Sequence, residues 1–110
     1  ARGGGATVVT ESGNIPFLPG VRSLAEMGLL PEGMYRNRHF AESSTRVEGE
    51  VPLAIQDLLY DPQTSGGLLI AVAEKDAQEL LAALRDRTPC AAQVGYVETK
   101  REDCSIVVKP

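Results

Sequence analysis

Two short stretches concentrate the residue types that could do chemistry. The first, DPQTSGG at residues 61–67, sets the hydroxyls of Thr64 and Ser65 immediately before Gly66 and Gly67. Without a Cβ in the way, backbone N–H groups at the glycines can close on an anion, and the two hydroxyls add further donors. The pattern fits a cradle for a phosphate or another polar substrate. It also fits a plain helix-to-strand turn, in which Asp61-Pro62 stops the helix and a glycine supplies positive φ. It is not a P-loop, because it lacks the Gly-Lys-Ser/Thr ending that sets an amine on the phosphates. Asp57 and Asp61 fall at the C-terminal end of an expected helix, where the macrodipole disfavours negative charge. A local rule broken without visible compensation is a pointer toward a site.

The second stretch is YRNRHF at residues 35–40, where Arg36, Arg38 and His39 form the only local concentration of basic residues. Asn37 adds an amide that can donate and accept. This group could meet an anionic substrate or an adjoining domain, or it could be a solvated loop. His39 is the only histidine and has no cysteine or paired carboxylate at ligand spacing, so neither catalysis nor metal binding follows from it. Ser65 lies in no nucleophile-elbow pattern. The two cysteines, Cys90 and Cys104, show no metal-ligand spacing and are expected as reduced thiols in the core.

The elements that must position these stretches follow from periodicity. ATVVT at 6–10 reads as a strand. VRSLAEMG places Val21, Leu24 and Ala25 on one helical face, with Gly28 suited to the C-terminal cap. Residues 31–50 show no sustained period and read as a long loop. VPLAIQDLLY resumes helical spacing through Ile55, Leu58 and Leu59. GLLIAV at 67–72 has the continuous apolar character of a strand covered on both faces. EKDAQELLAALRDR carries the stripe Ala77, Leu80, Leu81 and Leu84 of an amphipathic helix. CAAQVGYV and CSIVVK read as two strands of an antiparallel hairpin. The expected fold is α/β (α+β): a mixed sheet with helices packed on it, in the order β-α-α-β-α-β-β.

Composition narrows the function classes. A chain of 110 residues fits one domain with one modest core. A net charge of −4, with no tryptophan and few other aromatics, argues against nucleic acid as a partner. No apolar run approaches the roughly 20 residues that span a bilayer, so a cytoplasmic location without membrane contact is expected. The chain opens on ARGGGATVV without an initiator Met, which suggests a piece of a longer protein.

DPQTSGGLLIAV closely resembles the signature near the C-terminus of selenophosphate synthetases (selenide, water dikinases). IPFLPGVRSLAEMGLLPEGMYRNRHF is similar to the same family, and the likeness extends over roughly residues 5–108. The resemblance implies the aminoimidazole-ribonucleotide-synthetase superfamily and a partly ferredoxin-like C-terminal α/β domain. It further implies a parent kinase that uses ATP, Mg²⁺ and selenide to make selenophosphate, with release of AMP and phosphate. That product donates selenium to selenocysteine and to selenouridine in tRNA. The catalytic cysteine or selenocysteine, the lysine, the metal-binding aspartates and the homodimer interface belong to an N-terminal ATP-binding half that is not in this sequence. No catalytic or metal-binding residue is therefore assigned, and no cofactor is expected on residues 1–110 alone. The motif match assigns substrate or phosphate contacts to Asp61, Gln63, Thr64, Ser65, Gly66, Gly67, Arg36 and Asn37, on a turn facing the cleft between the two domains. Two other readings stay open: another synthetase or kinase of the superfamily, and a non-catalytic ferredoxin-like module for ligand binding or assembly.

Overall fold

The computed structural model describes residues 3–110. Four strands form one mixed sheet: β1 (Ala6–Glu11), β2 (Thr45–Val47), β3 (Gly95–Thr99) and β4 (Ile106–Lys109), in the order β2-β4-β1-β3. β4 runs parallel to both β2 and β1, while β3 runs antiparallel to β1. Four helices accompany them: α1 (Val21–Glu26), α2 (Glu32–Ala41), α3 (Leu53–Leu58) and α4 (Glu74–Arg85). The class is the expected one, a mixed sheet with helices. The order, β-α-α-β-α-α-β-β, differs locally from the periodicity reading.

The first helix ends as the sequence indicates. Gly28 takes φ 77°, its N–H donates to the Ala25 carbonyl at 2.9 Å, and the Leu29 N–H reaches back to the Leu24 carbonyl at 3.0 Å. These paired bonds satisfy the last carbonyls of the helix, and only glycine enters this left-handed position without strain. The main core is then built by Ala25, Val51, Ile55, Leu58 and Val108, with Phe17, Val21, Leu30 and Ile106 packed around it. Helices α1 and α3 thus cover the sheet face that carries Ile106 and Val108. On the opposite face, register partners Val9 and Val107 are both fully buried, together with Cys104. Leu24 is 45 % exposed and is not part of the core.

Three expectations are corrected. The expected loop over 31–50 contains α2 and β2. Its helix escaped periodicity because only Met34 is fully buried; polar contacts hold the rest. The expected hairpin does not form, because β1 lies between β3 and β4. Buried Thr7 on β1 holds the connection between them: its Oγ1 accepts from the Arg101 N–H at 2.8 Å and donates to the Cys104 carbonyl at 3.2 Å. The run 67–72 joins no sheet, and Leu68 and Leu69 are 89 % and 79 % exposed. A continuous apolar run signals burial but does not name a partner. The stripe of α4 is present, with Ala77, Leu80, Leu81 and Leu84 half-buried.

The thiols also divide. Cys104 is buried, and burial together with neighbouring Asp103 pushes its pKa up. Cys90 is exposed and lies before β3 rather than within a strand, so only one of the two is a core thiol.

A charged cluster closes the β3–β4 connection. Arg101 donates to Glu98 and to Glu48, each at 2.6 Å, and Lys109 adds a longer contact to Glu48 at 3.7 Å. The Arg101 hydrogen bond is the main cause that holds the Glu48 carboxyl below its ordinary pKa of 4.5. A depressed carboxylate stabilises the fold above its unfolded pKa, and that contribution is lost as pH falls through the folded value. Stability should therefore fall below about pH 4.5 more steeply in the wild type than in Glu48→Gln, as read from Tm against pH. Gly95 makes a sharper prediction. A Cβ there would stand 1.9 Å from the Val9 carbonyl oxygen, a backbone atom that cannot move without parting β1 from β3. Gly95→Ala should cost ~3 kcal/mol or more in denaturant unfolding, at the upper end of overpacking penalties.

Candidate functional site: the turn after α3

The last turn of α3 unwinds through two short bonds, from the Tyr60 N–H to the Asp57 carbonyl at 3.0 Å and from the Asp61 N–H to the Leu58 carbonyl at 3.2 Å. Pro62 has no N–H to extend the helix, and the chain leaves it there. Beyond it, the Gln63 N–H bonds the Asp61 carbonyl at 2.9 Å, and residues 62–67 are exposed. No backbone N–H of residues 64–67 has an acceptor among the described residues. The turn therefore offers four free amide donors and two hydroxyls to an incoming anion.

Positive φ falls on Ser65, at 55°, rather than on either glycine. A non-glycine residue in the left-handed region carries local strain of about 1 kcal/mol or more, and such strain gathers where geometry serves a site. At Gly66 a Cβ would lie 2.5 Å from the Gln63 Oε1, the end of an exposed side chain that would have to swing aside. Gly67 has open space around it.

One face of α2 grips this turn. Gly33 packs on Pro62, where a Cβ would meet the ring Cγ at 2.8 Å. One helical turn later, Asn37 Nδ2 donates to the Tyr60 carbonyl at 2.9 Å. Next to it, Arg38 forms an ion pair with Asp57, whose side chain is only 10 % exposed. Gly33, Met34, Asn37 and Arg38 follow the i, i+1, i+4, i+5 spacing of a single helical face. That spacing was the available signal for a helix in 31–50, and it lies in contact chemistry rather than in hydrophobicity.

The structure thus unites part of the expected set. Asn37 joins the stretch Asp61, Gln63, Thr64, Ser65, Gly66 and Gly67 by holding its entry. Arg36 does not join it: its guanidinium pairs with Glu32 at 3.3 Å on the exposed side of α2. His39 is likewise exposed and lies 3.4 Å from Glu42. The apparent misplacement of Asp57 is resolved by Arg38, so that acid is a structural anchor. Gly33 and Tyr60, which the sequence reading did not single out, support the turn, together with Arg38, expected to meet an anion or a neighbouring domain, and Pro62, expected as the helix stop. No group of three histidine, cysteine or carboxylate side chains placed to hold a metal ion occurs among the described residues. Nor is any helix among them long and apolar enough to cross a membrane.

The two clamps should separate in mutants. Asn37→Ala removes one hydrogen bond and should cost about 0.5–1.5 kcal/mol. Arg38→Ala leaves the buried Asp57 carboxylate unpaired and should cost about 3 kcal/mol, most of which Asp57→Asn should recover in the double variant. Urea unfolding of the three variants checks both.

Residues 1–108 match the family model for AIR synthase related protein, C-terminal domain. The chain is 42% identical over 103 residues to a selenide, water dikinase of Clostridioides difficile, an alignment covering 93% of this chain and 30% of that protein. Selenide, water dikinase 2 of Peptoclostridium acidaminophilum is 43% identical over 109 residues, 98% of this chain and 31% of the relative. A selenide, water dikinase of Treponema denticola is 44% identical over 108 residues, again with 93% of this chain and 30% of the relative covered. The chain thus spans about three tenths of the length of these curated relatives. With its family model matched over nearly its full length, the chain belongs to the AIR synthase related protein C-terminal domain family.

Proposed function

We propose that this chain is the C-terminal domain of a selenide, water dikinase, an ATP-dependent phosphotransferase that makes selenophosphate from selenide. The observation that carries the reading is the 42–44% identity to proteins of that name along 93–98% of the chain. In this reading the turn 61–67 forms one wall of a cleft, and the nucleotide-binding half of the same polypeptide forms the other. The free N–H groups of residues 64–67 and the hydroxyls of Thr64 and Ser65 fit phosphoryl oxygens, whose charge grows during transfer. The donor set fits an anion and not a cation, so Mg²⁺ and the reacting groups belong to the opposite wall. The domain alone would then be inactive, and the intact enzyme would act in the cytoplasm as a homodimer.

The turn is best tested in the intact protein. Thr64→Ala/Ser65→Ala should lower selenide-dependent ATP turnover at least about tenfold, in line with losses on removal of transition-state donors. Gly66→Val should do the same by displacing Gln63. Normal turnover in folded protein would remove the turn from the site, and turnover by the 110-residue chain alone would refute the division of labour.

A further inference from the structure

Gly33 is the only glycine inside the four helices, and its own helix gains nothing from it. Glycine weakens a helix relative to alanine, because it has more backbone freedom to lose. Nor does it supply an unusual backbone angle: among the described glycines, positive φ falls on Gly5, Gly20, Gly28 and Gly49. What remains is space. A Cβ at residue 33 would stand 2.8 Å, 3.2 Å and 3.8 Å from Cγ, Cβ and Cδ of Pro62, the second residue of DPQTSGG. These are ring atoms closed onto the backbone at both ends, so they cannot swing aside as the Gln63 amide can.

With a methyl group at residue 33, one of the two segments has to give. Helix α2 is the firmer. Met34, next to Gly33, is fully buried, and Arg38 is tied to Asp57. The turn is the softer, since residues 62–67 are exposed and the backbone of 64–67 makes no hydrogen bond to other backbone. The turn must therefore shift, by about 0.5–1 Å, to regain an ordinary carbon–carbon contact of about 3.5 Å.

We infer that Gly33 is a positioning residue: its missing side chain seats the Pro62 ring against α2 and so sets where the donors of residues 64–67 stand. The inference rests on the reading of that turn as one wall of the reaction cleft. Three contacts on one helical face then divide the work. Arg38 fixes α2 on α3, Asn37 holds the Tyr60 carbonyl, and Gly33 sets the depth at which the proline comes to rest. A glycine that weakens its own helix and serves only the approach of a second segment is a local rule broken for a site.

A double-mutant cycle in the intact protein tests this, read as selenide-dependent ATP turnover. Gly33→Ala should lower kcat about 10–100-fold, the loss expected when donors are misplaced by up to ~1 Å, and leave the KM for ATP unchanged. In the Pro62→Ala background, where the ring is gone, the same substitution should cost no more than about threefold. Equal losses in both backgrounds, or undiminished kcat in folded Gly33→Ala, overturn the inference. If Gly33→Ala does not fold, Asn37→Ala carries the test, because it frees the turn from the same face without adding an atom. Wild-type turnover in that folded variant overturns the inference. Thr64→Ala/Ser65→Ala separates the two readings. Turnover that survives this change removes the turn from the site and Gly33 with it. Turnover lost there but kept in Gly33→Ala removes only the positioning role.

Discussion

The pairing of Arg38 with Asp57 is the constraint on which the site depends. Asp57 is 7 % exposed at the end of a six-residue helix, where both burial and the helix dipole oppose its charge. It remains there because a guanidinium from α2 meets it. Alone the pair is weak evidence for stability, since desolvation offsets much of its attraction. Its value is in orientation. With Arg38 committed to α3, the same face of α2 brings Gly33 onto Pro62 and Asn37 onto the Tyr60 carbonyl. The course of the chain from 60 to 62 is thereby set, and the hydroxyl-glycine turn that follows starts from a fixed point.

The sheet shows the same economy around β1. Its middle position lets Thr7 close the β3–β4 connection with one hydroxyl, donating on one side and accepting on the other. It also brings β3 so near that residue 95 has no room for a Cβ. On one face α1 and α3 seal the sheet through aliphatic contacts. On the other, Val9 and Val107 are fully covered while the α4 stripe is only half-buried. Close aliphatic packing thus lies on the side of α1 and α3, while α4 is half-buried at most and the run before it is exposed.

Much of this was legible in the residues. The strand at 6–10, the glycine cap after α1, the Ile55–Leu58 face and the α4 stripe all follow from local periodicity and backbone preference. So did the DPQTSGG turn, with Asp61-Pro62 as its stop. What escaped was non-local. α2 buries one residue fully and is held by polar contacts, so hydrophobic periodicity is silent over 31–50. Strands β3 and β4 are near in sequence and suggest a hairpin, yet β1, some ninety residues earlier in the chain, fits between them.

The amino-acid sequence by itself determined the family, the helix and turn chemistry, and the residue types of the 61–67 turn, because these depend on short-range sterics and on side chains a few positions apart. Only the tertiary structure decided which of those residues stand together. It joined Asn37 to the turn, sent Arg36 to solvent with Glu32, turned Asp57 from a suspected site acid into an anchor, and put positive φ on Ser65 in place of a glycine. The reason is physical. A residue's type fixes what it can bond, but its partner is whichever group the packing of distant segments brings within about 3 Å.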